Sequence, residues 1–581
     1  MTTTRWNGRN GTWFNPSRWS DGVPAAGDTA RFAGQRSFIC ALNAPAAADR
    51  ILFNAPSGVL NESASGGLTL TGRFVQKAGT VILEGQNSLP VYHLSGGMLE
   101  LGDASALGAP RLEFSGGTLA ALSGFSEGAF VHASGDLTLA AAAGATFTLT
   151  GDCKLVSDAG HPATLAFGAP GFGGAVQLLG RYFLGRTPAF DLTVSQFATL
   201  KLASRSAVKL ARNAGEITLG DGGLRFYEDA RLFNLIDFAG ASSLDANGHV
   251  VRLSGTLTAE ANAAIHLGSA AVSGIIVIDG ATFDPPSSGF DVFVDGGRVK
   301  AAADHIHTLA FVDMFSDARS VTVGAGAVLD VTGVGNVGLT RLQGAGLISD
   351  RGAAVTVDAS NLDFHGLLSG DLSFNLLGDA DFTGATFATK AGDTLKLGGG
   401  EQTLDLSGIH KFVSFSLPTI DLSSSGASLI SFAVADQATE TLLGFGRGDT
   451  IKMDDLPYVD FRREKYVANR DPRTGGRLVL FGTGGARQTL VLRGADYSGH
   501  LFVEPDSATG LTVVTTDLGP GPPPAAAKVV ALASFAAALG PRGGVGSDLA
   551  AGAPSRLGGM GWLAAPGNAP MHHAGPFAAL A

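Results

Sequence analysis

The pentapeptide Ser95-Gly96-Gly97-Met98-Leu99 returns 20 residues later as Ser115-Gly116-Gly117-Thr118-Leu119, and this interval constrains the fold more than any other feature. A period near 20 is too short for a repeated globular domain and suits one coil of a stacked array. Leu101-Gly102-Asp103 and Ala106-Leu107-Gly108 lie between the two copies, so each period holds short apolar runs broken by turn residues. Coils of parallel strands stack about 4.8 Å apart, so residues 36–400 would make on the order of 18 coils and a rod about 85 Å long. The expectation is an all-β chain built as a right-handed parallel β-helix, a β-solenoid. A row of β-sandwiches is the alternative, but its repeats would be nearer 100 residues.

Strand signals recur throughout this region. Leu68-Thr69-Leu70-Thr71, Thr146-Phe147-Thr148-Leu149-Thr150, Ser320-Val321-Thr322-Val323 and Ala354-Val355-Thr356-Val357 alternate apolar with Ser or Thr positions, and Gly274-Ile275-Ile276-Val277-Ile278 is a β-branched run. Alternation with period two marks a half-buried strand, and no long amphipathic helix interrupts it. Composition agrees. Charged residues are 16% of the chain and glycines number 83, as a fold with many tight turns requires.

The first 35 residues hold three of the four tryptophans, Trp6, Trp13 and Trp19, among Asn-Gly and Asp-Gly turns. A stack of strands needs its ends covered, so residues 1–35 read as an N-terminal cap and 36–435 as the stalk. An aromatic platform for carbohydrate is the alternative reading. The net charge of −11 argues against nucleic acid as a partner. Two cysteines, Cys40 and Cys153, make no disulfide framework, and the sequence leaves open whether they pair. No apolar run reaches the length of a membrane-spanning helix. The segment from Met1 to Asn10 lacks a basic region followed by an apolar one, so export would need a signal elsewhere.

Two stretches resemble known families. Residues 97–120 and 244–257 are similar to the passenger-associated β-strand repeat of autotransporters, which implies a β-helical stalk outside the cell. The chain departs from that family in lacking a C-terminal membrane barrel. Residues 436–516 contain Gly444-Phe445-Gly446-Arg447-Gly448-Asp449-Thr450-Ile451, then Gly476-Arg477-Leu478-Val479-Leu480, then Leu492-Arg493-Gly494 and Tyr497. That order resembles the small C-terminal β-module of adhesins and hydrolases exported by type I secretion machinery. The Pro-rich linker and Ala/Gly-rich remainder, 517–581, resemble an uncleaved secretion segment. They read as a disordered tail holding one short helix over 525–539.

Few residues suggest chemistry. The type I resemblance raises calcium, for which Asp449, Asp454 and Asp455 are the candidate ligands. Only a fragment of the calcium-binding nonapeptide survives around Asp449, whose other reading is a turn residue. Asp304-His305-Ile306-His307 places two imidazoles on one strand face without enough further ligands for zinc, and His572-His573 lies in the tail. Asp103, Asp152, Asp221, Asp245, Asp279, Asp295 and Asp330 stand singly at turns, whereas glycoside hydrolysis needs two facing carboxylates. Against the acidic background, Arg462, Arg463, Lys465, Arg470, Arg473 and Arg477 form a basic run that continues to Arg487 and Arg493. It is the candidate surface for anionic cell-surface polysaccharide or lipopolysaccharide. The expected function is a secreted structural or adhesive rod at the bacterial surface, free to self-associate and without cofactor or catalysis. The alternative is a β-helical polysaccharide lyase or hydrolase.

Overall fold

Val250–Leu253, Leu257–Ala259 and Ala264–Leu267 run in succession, and each pairs in parallel with a strand of the next turn, Ile275–Ile278, Phe283–Asp284 and Asp291–Val294. Each turn of chain therefore contributes one strand to each of three walls. A computed structural model describes residues 2–519 apart from 109–110, 157–162, 185–189, 280–281, 287–288, 303–308, 352–354, 390–392, 398–401, 407–409, 412–418, 424–426, 433–438, 460–464 and 484–485. The described chain is a β-solenoid of about 18 turns. The tail expected to be helical, the Asp304–His307 run and His572-His573 lie outside the described residues.

Period two sets what faces inward. In the first wall Val251, Ile276, Val299, Leu329, Ile348, Leu368 and Phe387 stack in register, and all are buried. Ile278, Val321 and Val323 are fully buried in the same manner. Among the described residues the main apolar core is continuous from Trp6 to Val514, and Ala120, Ala140 and Ala169 form a second, small cluster beside it. The coil length is elastic, 17 residues between Val355 and Leu372 but 30 between Arg298 and Val328, because only the strands must stay in register.

The repeated Ser-Gly-Gly follows from close backbone approach. Gly97 and Gly117 have φ of +83° and +103°, and both sit against glycine backbone of the coil before. Two eight-residue helices, absent from the sequence reading, each take the place of a strand. Helix α1, Arg205–Arg212, stands in the first wall between Tyr182–Leu184 and Ala230–Leu232. Helix α2, Leu309–Ser316, does the same in the second wall, between Phe283–Asp284 and Asn336–Thr340.

Both described ends of the stack are closed. Thr3–Arg5 pairs in parallel with Thr29–Ala33, which pairs with Arg50–Glu62, so residues 1–35 are themselves the first coil. Their tryptophans fill its interior. Trp6 and Trp13 each meet Trp19 edge-on at 5.0 Å, and the Trp19 indole N–H donates to the Trp13 carbonyl at 2.7 Å. At the other end the pairing changes sense. Thr450–Pro457 is parallel to Ser428–Phe432 but antiparallel to Leu511–Thr516. Arg487–Arg493 is parallel to Thr439–Leu443 but antiparallel to Gly476–Phe481, which pairs with Lys465–Ala468. The parallel stack thus finishes in antiparallel strands, and the last of them is four residues long and opens on a lysine, two devices that discourage further edge pairing.

Candidate functional site: the C-terminal cationic face

The turn and strands of residues 465–493 carry six cations against one acid, Asp471. Lys465 opens the outermost strand, opposite Val479, and Arg477 faces Val467 on one side and Val491 on the other. With period two, Lys465, Arg477, Arg487 and Arg493 share the outward face of these three strands, and all four are exposed. Arg470 and Arg473 stand exposed in the turn between the first two strands, which Asp471 stabilises by accepting the Arg473 N–H at 3.1 Å. None of these six cations forms an ion pair with a described carboxylate. Arg462 and Arg463 lie outside the described residues. What the strands assemble is a positive, solvated surface at the end of an acidic molecule.

The inner side of the same sheet explains the spacing of the glycine and tyrosine signals. Tyr497 is fully buried, donates its hydroxyl to the Phe445 carbonyl at 2.9 Å and packs against Phe445 and Tyr466. Burial pushes its phenol up to about 12, with Tyr466 and Asp449 adding to the effect. Residues 52 positions apart are thereby tied where the parallel stack gives way to antiparallel pairing.

The three candidate calcium ligands do not converge. Asp449 is 3% exposed, and its oxygens accept the Ser428 and Gly446 amides at 3.1 and 2.9 Å, which clamps the turn onto the preceding coil. Asp454 follows five residues along an extended strand, about 16 Å away, too far to share an ion with Asp449. Burial raises the Asp454 carboxyl, with Lys452 opposing it from 3.6 Å. Asp455 is exposed.

A grouping with metal-ligand geometry occurs elsewhere among the described residues. Asp363, His365 and Asp381 bring one ligand atom each to within 4.8 Å of one another. Asp363 and Asp381 are register partners on adjacent coils of the third wall. His365 meets the Asp363 carboxylate through Nε2 at 2.7 Å and the Thr383 carbonyl through Nδ1 at 2.6 Å. A nitrogen with two carboxylates suits a transition metal better than calcium, which takes oxygen ligands. Eighteen residues separate the two aspartates in sequence, so only the coil register reveals the grouping.

Cys40 and Cys153 are free and buried. Burial drives the Cys40 thiol well above its ordinary range and that of Cys153 up to about 12, which disfavours the thiolate at both. No helix among the described residues is long and apolar enough to cross a membrane. No protein-family model, characterised protein or solved structure matches the chain.

Proposed function

We propose that this protein is a secreted structural and adhesive solenoid of the bacterial surface or matrix, which docks on anionic polysaccharide through its C-terminal cationic face. The observation that carries this reading is the outward row of Lys465, Arg477, Arg487 and Arg493, none of them paired with a described carboxylate. Clustered solvated cations attract a polyanion over about a Debye length, and flexible anionic chains need no shaped pocket. The long stack supplies reach, since stability accrues coil by coil. Export through a type I machinery is part of the same proposal and rests on the motif order in residues 436–516.

The test joins location to binding. Producing cells and their medium are fractionated, and full-length protein recovered outside the cell is passed over immobilised alginate and over a neutral glucan. Retention on alginate alone, released by salt, is the expected result. Confinement to the cytosol, equal retention on both matrices, or turnover of the polysaccharide would contradict the proposal.

A further inference from the structure

Helix α1 opens a groove that the strands around it would have filled. Ser204 caps the helix by accepting the Ala207 amide at 3.1 Å. Ala207, Val208, Leu210 and Ala211 are buried against the coils. Its Ser206 hydroxyl accepts the Tyr182 amide at 2.9 Å, so that amide of the neighbouring strand is satisfied without a strand partner. Arg205, Lys209 and Arg212, spaced i, i+4 and i+7, are left on the solvent side.

This helix face forms one side of a groove of about 840 Å³ that also reaches Phe233 and His249, which flank successive strands of the first wall. The groove's acids are engaged. Glu228 lies 3.9 Å from Arg205 and Asp229 lies 3.6 Å from His249. Lys209 and Arg212 form no ion pair with a described carboxylate. Phe233 is 56% exposed, with the Arg231 guanidinium 5.0 Å from its ring centre. A large aromatic left half in water within a charged groove calls for a ligand with an apolar ring face, and the two cations call for anionic groups beside that face.

We propose that this groove binds an acidic oligosaccharide, with a sugar ring stacked on Phe233 and uronate carboxylates held by Lys209 and Arg212. A sugar ring supplies the C–H face that stacks on phenylalanine, and a uronate places a carboxylate at the ring's edge, within reach of flexible lysine and arginine side chains. The site is separate from the C-terminal face, and its occupancy does not depend on that face.

Titration calorimetry of the full-length protein with hexagalacturonate and with its methyl ester tests the assignment. The ester keeps the rings and loses the charges. Wild type should bind the acid more tightly than the ester. Lys209→Glu with Arg212→Glu should weaken the acid about tenfold or more and leave the ester unchanged. Phe233→Ala should weaken both by about tenfold, while Phe233→Tyr keeps both. Because these side chains are exposed, circular dichroism should be unchanged in every variant. Arg473→Glu with Arg477→Glu should leave hexasaccharide affinity as it was, which separates this site from the C-terminal face. Absence of hexagalacturonate binding, equal affinity in wild type and groove variants, or tighter binding of a single-stranded hexanucleotide would overturn the assignment.

Discussion

A Cβ atom placed on Gly97 would stand 2.3 Å from the carbonyl oxygen of Gly79 in the preceding coil. The Ser-Gly-Gly repeat thus records a point where two coils touch backbone to backbone. Gly97→Ala should cost more than the roughly 1–2 kcal/mol of a left-handed alanine, because the coil spacing must also open. Gly22→Ala is the control, since Gly22 has φ of +86° and nothing within 4 Å of the added atom. Denaturant unfolding of the two variants should show Gly97→Ala as clearly the less stable.

Ile276 stacks between Val251 and Val299 and is 1% exposed. Ile276→Asp would bury a charge without a partner, at a cost of several kcal/mol. Because each coil touches only its neighbours, the damage should stay near residue 276. Limited proteolysis with mass mapping should find new cuts there, with the tryptophan-filled first coil and the antiparallel end intact. Uniform digestion along the whole chain would show a single cooperative unit instead.

The coil architecture was legible because period-two strands and glycine turns are local signals, and Ile276, Ile278, Val321 and Val323 point inward as their alternation requires. The uniform period of 20 was not general, since coils as unlike as the 17 residues between Val355 and Leu372 and the 30 between Arg298 and Val328 keep their strands in register. Helix α1 was missed because eight residues between two strands carry only the Ser204 cap and one polar stripe as a signal. The basic run at 465–493 was visible as charge. Its display on one sheet face, and the grouping of Asp363, His365 and Asp381, depend on which coil lies beside which.

Two buried glutamates predict an acid-side gain in stability. Glu62 accepts the Asn87 side-chain amide at 2.8 Å and the Gly85 backbone amide at 3.2 Å. Glu127 accepts the Ala129 amide at 2.8 Å. Burial nevertheless raises both carboxyls. A carboxyl with a raised native pKa binds more protons folded than unfolded, so stability falls as pH rises from about 4.3, the ordinary glutamate value, through the raised one. The unfolding midpoint should therefore rise as pH falls from neutral toward about 4.3, and Glu62→Gln with Glu127→Gln should flatten that slope. Below about pH 4 the trend should reverse, as Asp152 and Asp291, held low by Arg181 and Arg319, take up protons. A wild-type midpoint that does not rise as pH falls from neutral toward about 4.3 would contradict this.

Tyr497→Phe removes the hydroxyl that meets the Phe445 carbonyl and keeps the ring. Leaving a buried acceptor unsatisfied should cost about 1–3 kcal/mol. Hydrogen exchange should show the loss in residues 439–516, with the coils before residue 400 as protected as in the wild type. Faster exchange spread evenly over the whole stack would mean that the hydroxyl does not act locally.

The salt dependence of alginate binding by the full-length protein tests the cationic face most directly. Affinity should fall steadily as salt rises, because screened contacts with Lys465, Arg470, Arg473 and Arg477 supply it. Arg473→Glu with Arg477→Glu should lower the affinity about tenfold at low salt and reduce the slope against salt concentration. Binding that ignores salt, or that is the same in the wild type and the double variant, would contradict a docking role for this face.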